Sequence, residues 1–341
     1  MKRKKTSAVI YALMVLTVVI LAGCAHEPLS LWNDRAAAKV ALVDYVRAVT
    51  AEDSPDYIPV ENRIAVFDFD GTLFLETDPT YFDWQLFEHR VLEDPTYQAT
   101  GEQLETARAA RSGRLPKLDK NRERMVAEAY RGMTFDGFDT FVRSFMAEDQ
   151  PGFIGLKRGD AYYKPMLEVI DYLRRNGFTV YVISGTDRFT MRPLTEVLHL
   201  PLTQIIGSDS TVVASGQAGK DGLEYVFVDG DDLLLGGENL VKNLQMNKVS
   251  VIVREIGVRP VLAFGNTMSD ASMLNYTISR NKYKALGFML LCDDLEREYG
   301  HAEKAGQMLR HCRQYGWIPV SMRDDWKTIY GENVTRRGTG K

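Results

Sequence analysis

The chain has 341 residues, of which 45% are hydrophobic and 26% charged, with a formal net charge of −4. That length exceeds one small core and fits a large domain with a smaller one inserted or appended. The acidic balance carries no basic stripe, so nucleic-acid binding is excluded as a leading function, and no protein partner is evident.

The first residues read as a targeting segment. Lys2, Arg3, Lys4 and Lys5 precede an apolar run from Ala8 to Leu21. That run is short for a bilayer-spanning helix, which needs about 20 apolar residues, and it fits the hydrophobic region of a secretory signal. It ends in Leu21-Ala22-Gly23-Cys24, which resembles a bacterial lipobox. The resemblance implies a lipoprotein signal peptide over 1–23, lipidation of Cys24, and attachment to a membrane through that lipid. A plain signal peptide with a chance cysteine, or an uncleaved anchor helix, are the other readings. Ala25 resembles the outer-membrane sorting choice of Gram-negative bacteria. The expected location is the bacterial cell envelope, on the periplasmic side of the outer membrane if the cell is Gram-negative. Cys292 and Cys312 remain; an exported protein can oxidise such a pair, and two buried thiols are the alternative.

Residues 24–60 form a tether and an N-terminal helix, with Leu42, Val43, Val46 and Val49 on one helical face. Ile64-Ala65-Val66-Phe67 is a continuous apolar run ending at Asp68, the pattern of a strand buried on both faces of a parallel sheet. Residues 75–160 are helical, charged and aromatic, with no buried-strand run. Met166, Val169, Ile170 and Leu173 mark a helix, with Pro165 near its start and Gly177 closing it. Strands follow at Thr179–Ile183, ending at Ser184, at Arg259–Phe264, ending at Gly265-Asn266, and at Phe288–Leu291. Val249, Ile252, Val253 and Ile256 place a helix before the strand at Arg259–Phe264. Between them, Thr211–Val213 and Tyr225–Val228 predict a β-hairpin across a Gly-rich turn. The alternation predicts an α/β fold: a Rossmann-like parallel sheet core, 61–74 plus 161–341, with an inserted helical cap, 75–160.

Polar residues gather at the carboxyl ends of these strands: Asp68 and Asp70, Ser184 and Thr186, Asn266 and Asp270. Ligands of open α/β sheets bind in the crevice outside those ends. Asp68-Phe69-Asp70-Gly71-Thr72 puts two carboxylates on a turn leaving the sheet, one able to act as nucleophile and the other as proton donor. Gly71 permits a tight turn and a close approach of backbone N–H groups to an anion. A calcium loop fits poorly, because Thr72 and Pro79 stand where further oxygen ligands belong.

Asp68–Thr72, the strand Val180–Ile183 running into Ser184-Gly185-Thr186, a lysine ahead of the last motif, and Gly265-Asn266-Thr267-Met268-Ser269-Asp270 together resemble the haloacid dehalogenase superfamily, from about Ile64 to about Asp294. Lys248 is the choice for the lysine, with Lys242 the runner-up. The resemblance is to phosphoserine-phosphatase-like members. It implies a magnesium-dependent hydrolase of small phosphomonoesters with Asp68 as nucleophile, Asp70 as general acid and base, and Ser184 and Lys248 as catalytic partners. It further implies phosphate binding by Phe69, Gly71, Thr72 and Gly185, and Mg2+ held by Asp68, Asp70, Asn266 and Asp270. Asn266 departs from the family's usual acidic residue, although its amide oxygen suits a hard cation. Glu76 lies near the place where phosphoserine phosphatases read their substrate. The alternatives are a phosphotransferase passing the phosphoryl group to an alcohol and a surface-binding lipoprotein without turnover.

Overall fold

The computed structural model describes residues 28–78, 80–114 and 120–338. The expected signal peptide and Cys24 lie outside the described residues.

Helix α1 (Ala37–Thr50) buries Leu42, Val46 and Val49 of the expected face, with Tyr45 buried as well and Val43 half-buried. Strand β1 (Ile64–Phe67) is buried along its whole length. Four helices follow: α2 (Phe82–Leu92), α3 (Gly101–Arg111), α4 (Lys120–Glu128) and α5 (Phe135–Met146). Thr100 and Gln103 form a capping box on α3, and the Thr134 side chain caps α5. Such caps fix helix starts by satisfying N–H groups that have no partner within the helix. A two-residue strand β2 (Phe153–Ile154) precedes α6 (Lys164–Arg175) and β3 (Thr179–Asp187). Then come α7 (Arg188–Leu194), β4 (Ile205–Ala214), β5 (Leu233–Val241), α8 (Met246–Val251), β6 (Leu262–Gly265), α9 (Ala271–Ile278), β7 (Leu286–Leu291), α10 (Ala302–Tyr315), β8 (Ile318–Ser321) and β9 (Thr335–Arg336).

Seven strands form one sheet in the order β5-β4-β3-β1-β6-β7-β8. Its pairings are parallel except that between β4 and β5. This is the expected α/β class. β1 lies at the point where successive strands run off in opposite directions, so the residues just past its end face the crevice. Phe67, Phe264 and Phe288 stack across three adjacent strands, with centroids 4.3 and 4.8 Å apart. That buried ladder braces the strand ends that carry Asp68 and Asn266. One hydrophobic core runs from these strands into the intervening helices, joining Val182 and Phe264 to Phe82, Phe87 and Phe145.

Three local expectations are corrected. The partner of Thr211–Val213 is β5 rather than Tyr225–Val228, whose Val226, Phe227 and Val228 are exposed. Gly236 and Gly237 interrupt the apolar pattern of β5. Gly236 admits the Thr211 side chain, and Gly237, at φ +79°, takes a conformation suited to glycine. The helix expected at 249–256 starts earlier, at Met246, and ends in a π-turn over Ile252–Ile256. β8 escaped notice because Pro319 interrupts it; on an edge strand the missing N–H costs no ladder bond. Cys292 and Cys312 are both free and buried.

Candidate active site

Asp68 is the first residue past β1, and its N–H donates to the Phe264 carbonyl at 2.9 Å. The chain then turns sharply. The N–H groups of Leu73 and Phe74 both donate to the Phe69 carbonyl, at 2.8 and 3.1 Å. Gly71 sits at φ +74°, and a Cβ there would collide with the side chains of Asn266 and Glu76. Only glycine satisfies both the dihedral and the packing.

Lys248 is fully buried in α8. Its Nζ donates to Asp68 Oδ1 and, at 2.6 Å, to Asp270 Oδ1. The Gln245 N–H donates to the Ser269 carbonyl at 2.9 Å, tying the turn before α8 to the turn before α9. Asp270 Oδ2 accepts from the backbone N–H groups of Asn266 and Thr267 at 3.0 and 3.1 Å. A side chain at Gly265 would press into Asp270. Asp270, expected as a metal ligand, therefore has both oxygens engaged in holding Lys248 and shaping the turn.

Asp70 Oδ2 accepts from Thr186 Oγ1 at 2.7 Å and from Ser184 Oγ at 3.5 Å. Its Oδ1 is buried without a partner among the described residues. Asn266 Nδ2 donates to Glu76 Oε2 at 2.6 Å, while Glu76 Oε1 accepts from Tyr81 at 2.8 Å and from Lys304 at 3.0 Å. The amide is thereby turned so that its nitrogen faces Glu76. Asp68, Asp70, Glu76, Ser184, Gly185 and Asn266 line one cavity of about 440 Å³.

Burial pushes Asp68 up to about 7, with the Asp270 charge adding to the rise and Lys248 opposing it. Burial also holds Asp70 well above the usual carboxylate range, helped by the Asp83 charge and opposed by the Thr186 hydroxyl. Burial favours a neutral Lys248, but the charges of Asp270 and Asp68 outweigh it and raise its value, so the lysine stays charged. The site thus holds one carboxyl beside a cation and another whose protonated form is favoured by burial.

Asp68, Asp70, Glu76, Ser184, Gly185, Lys248, Asn266 and Asp270 all come together. The Phe69 ring packs against Phe74 and Tyr162 in the core. The N–H groups of Gly71 and Thr72, expected to meet a phosphate, close the turn by donating to the carbonyls of Phe74 and Phe69. Sequence reasoning missed Thr186 as the partner of Asp70, although its position two residues after Ser184 on one strand was a usable signal. Lys304 and the bond from Tyr81 to Glu76 were also missed, since no motif marks either. Lys242 lines the cavity without touching Asp68.

A buried Asp-x-Asp at the end of the central strand, with a lysine from a later helix reaching the first aspartate, defines a hydrolase of the haloacid dehalogenase class. The chain belongs to that family: the haloacid dehalogenase-like hydrolase profile matches residues 65–275. No curated protein matches the sequence significantly. Among solved structures, a conserved protein of unknown function from Anaerococcus prevotii is similar over 87% of this chain and 96% of its own, at 12% identity and a TM-score of 0.50. A cytosolic 5'-nucleotidase IIIB bound to cytidine is similar over 88% of this chain and 92% of its own, at 14% identity and a TM-score of 0.50. Both likenesses concern the fold.

Proposed function

We propose that this protein is a magnesium-dependent phosphomonoester hydrolase that works through a phospho-aspartate on Asp68. The observation that carries the reading is the pairing of two differently tuned carboxyls at the floor of one cavity, Asp68 beside Lys248 and Asp70 beside Thr186.

Asp68 attacks phosphorus through a carboxylate oxygen, and the P–O bond to the alcohol breaks. The Lys248 charge favours the ionised nucleophile and offsets repulsion by the phosphate. Asp70, whose protonated form is favoured by burial, gives its proton to the departing alkoxide, and an alcohol leaves. The Asp70 carboxylate then takes a proton from water, whose oxygen attacks phosphorus of the acyl phosphate. Inorganic phosphate departs and both aspartates are restored. Thr186 and Ser184 hold Asp70 in place through this cycle. Asp270 fixes Lys248 between two carboxylates, a positioning role.

The donor set suits a hard cation. Among the described residues no group of three or more His, Cys, Asp or Glu is arranged for a metal; Asp68, the Asp70 backbone and the Asn266 amide oxygen would hold the cation, with water completing the set. Magnesium accepts such an oxygen set with several waters. When bound it would neutralise phosphate charge. Residues 75–160 serve as a cap on this reading, since Asp83 and Trp84 of α2 contribute to the cavity wall. The signal-like N-terminus supports export and lipid attachment at Cys24, which Cys24→Ser should abolish in an acyl-labelling assay.

The test is a magnesium-dependent screen of phosphate esters on the purified soluble portion. Release of inorganic phosphate is expected, with none from Asp68→Asn. Phosphate appearing mainly on an added alcohol would favour a phosphotransferase.

A further inference from the structure

A second cavity of about 70 Å³ adjoins the first and shares Asp83, Trp84 and Lys242 with it. It lies between α2, α4 and α5 on one side and the β4–β5 edge on the other. Trp84, Tyr130 and Phe138 give it three aromatic walls. Its charged lining is Asp83, Glu123 and Asp187 against Lys242, three carboxylates to one lysine. Among the described residues no ion pair joins Lys242 to any of them.

Lys242 is the one cation that the described residues of the lining set against these carboxylates. Burial raises Asp83, and the field of Lys242 only partly offsets it. Burial raises Asp187 as well, although that side chain caps α7 and accepts from Ser210 at 2.7 Å. Tyr130 supplies an independent observation. It is 7% exposed, and its hydroxyl is buried with no partner among the described residues. That hydroxyl lies in the fields of both Asp83 and Asp187. That hydroxyl is free to hydrogen-bond a group that enters the cavity.

Aromatic faces attract organic cations, and desolvated carboxylates do so more strongly. A neutral or anionic leaving group would leave these carboxylates without a cation to pair with. We infer that this cavity is a leaving-group subsite for an organic ammonium, so that the substrates are phosphomonoesters of short amino alcohols, primary or methylated. The inference rests on the phosphatase reading for its phosphate end and on the cavity for its cation. The phosphoryl group sits over Asp68, and the ammonium passes Asp83 to lie against Trp84 and Tyr130.

Phosphocholine and ethanolamine phosphate are compared with 3,3-dimethylbutyl phosphate, a neutral isostere of phosphocholine. The cationic esters should show kcat/KM at least about tenfold higher. Asp83→Asn should shrink that ratio to about threefold or less; because both rates are read on one sample, the ratio is insensitive to any misfolded fraction. Equal kcat/KM for the neutral ester, alongside turnover that depends on Asp68, overturns the subsite and leaves the phosphatase reading standing. If no ester is hydrolysed, the phosphatase reading fails, and calorimetric titration still decides the subsite. Choline binding about tenfold or more tighter than 3,3-dimethylbutanol supports it, and equal or absent binding overturns it.

Discussion

Glu298 follows β7 in a fully buried position and accepts from the Tyr330 hydroxyl, from the Tyr299 N–H at 2.6 Å and from Thr77 Oγ1 at 3.4 Å. Among the described residues no ion pair joins it; burial pushes its carboxyl from 4.5 to about 7, and the Asp78 charge adds to the rise against those hydrogen bonds. The folded protein therefore keeps a proton here that the unfolded chain releases. Between about 4.5 and 7 the unfolded state binds fewer protons, so stability falls as pH rises. The contribution is complete below the unfolded value and is lost as pH passes the folded one. At about 1.4 kcal/mol per pH unit, the rise corresponds to about 3 kcal/mol. Glu298→Gln mimics the protonated carboxyl. Urea unfolding should find the variant within about 1 kcal/mol of wild type near the unfolded value and about 3 kcal/mol more stable at pH about 8. An identical pH slope in variant and wild type would refute the reasoning, because the slope would then come from other groups.

The remaining predictions concern the site. Asp70→Asn should slow turnover by about 10²–10⁴, with a smaller loss for nitrophenyl phosphate, whose leaving group needs no proton; steady-state kinetics across leaving groups checks this. Gly71→Ala should destabilise the fold by about 1–3 kcal/mol through its positive φ and, by displacing Asn266, raise the magnesium concentration giving half-maximal rate. Lys248→Met should cost about 3–5 kcal/mol in urea unfolding, since it strands two buried carboxylates.

The sheet was legible because its central strands are short apolar runs that end in polar residues, a pattern set by burial on both faces. β5 and β8 were not, because Gly236, Gly237 and Pro319 carry turn signals that only tertiary context overrides. Asp68, Asp70, Lys248 and Asp270 were readable because each belongs to a local motif at a strand or helix end. The contact of Glu76 with Asn266 spans 190 positions, and that of Lys304 with Glu76 spans 228. No local pattern encodes either pairing; they arise only when the sheet order brings β1, β6 and α10 together. The engagement of the Gly71 and Thr72 N–H groups within the turn likewise depends on dihedrals that the motif permits but does not dictate.

The most direct test of the account is to trap the covalent intermediate. The enzyme is mixed with a phosphate ester and magnesium, quenched in acid, and digested, and the peptides are analysed by mass spectrometry. One phosphoryl group is expected on Asp68, absent from Asp68→Asn and accumulating in Asp70→Asn when a good leaving group is used. A phosphoryl group on any other residue, or full turnover by Asp68→Asn, would contradict it.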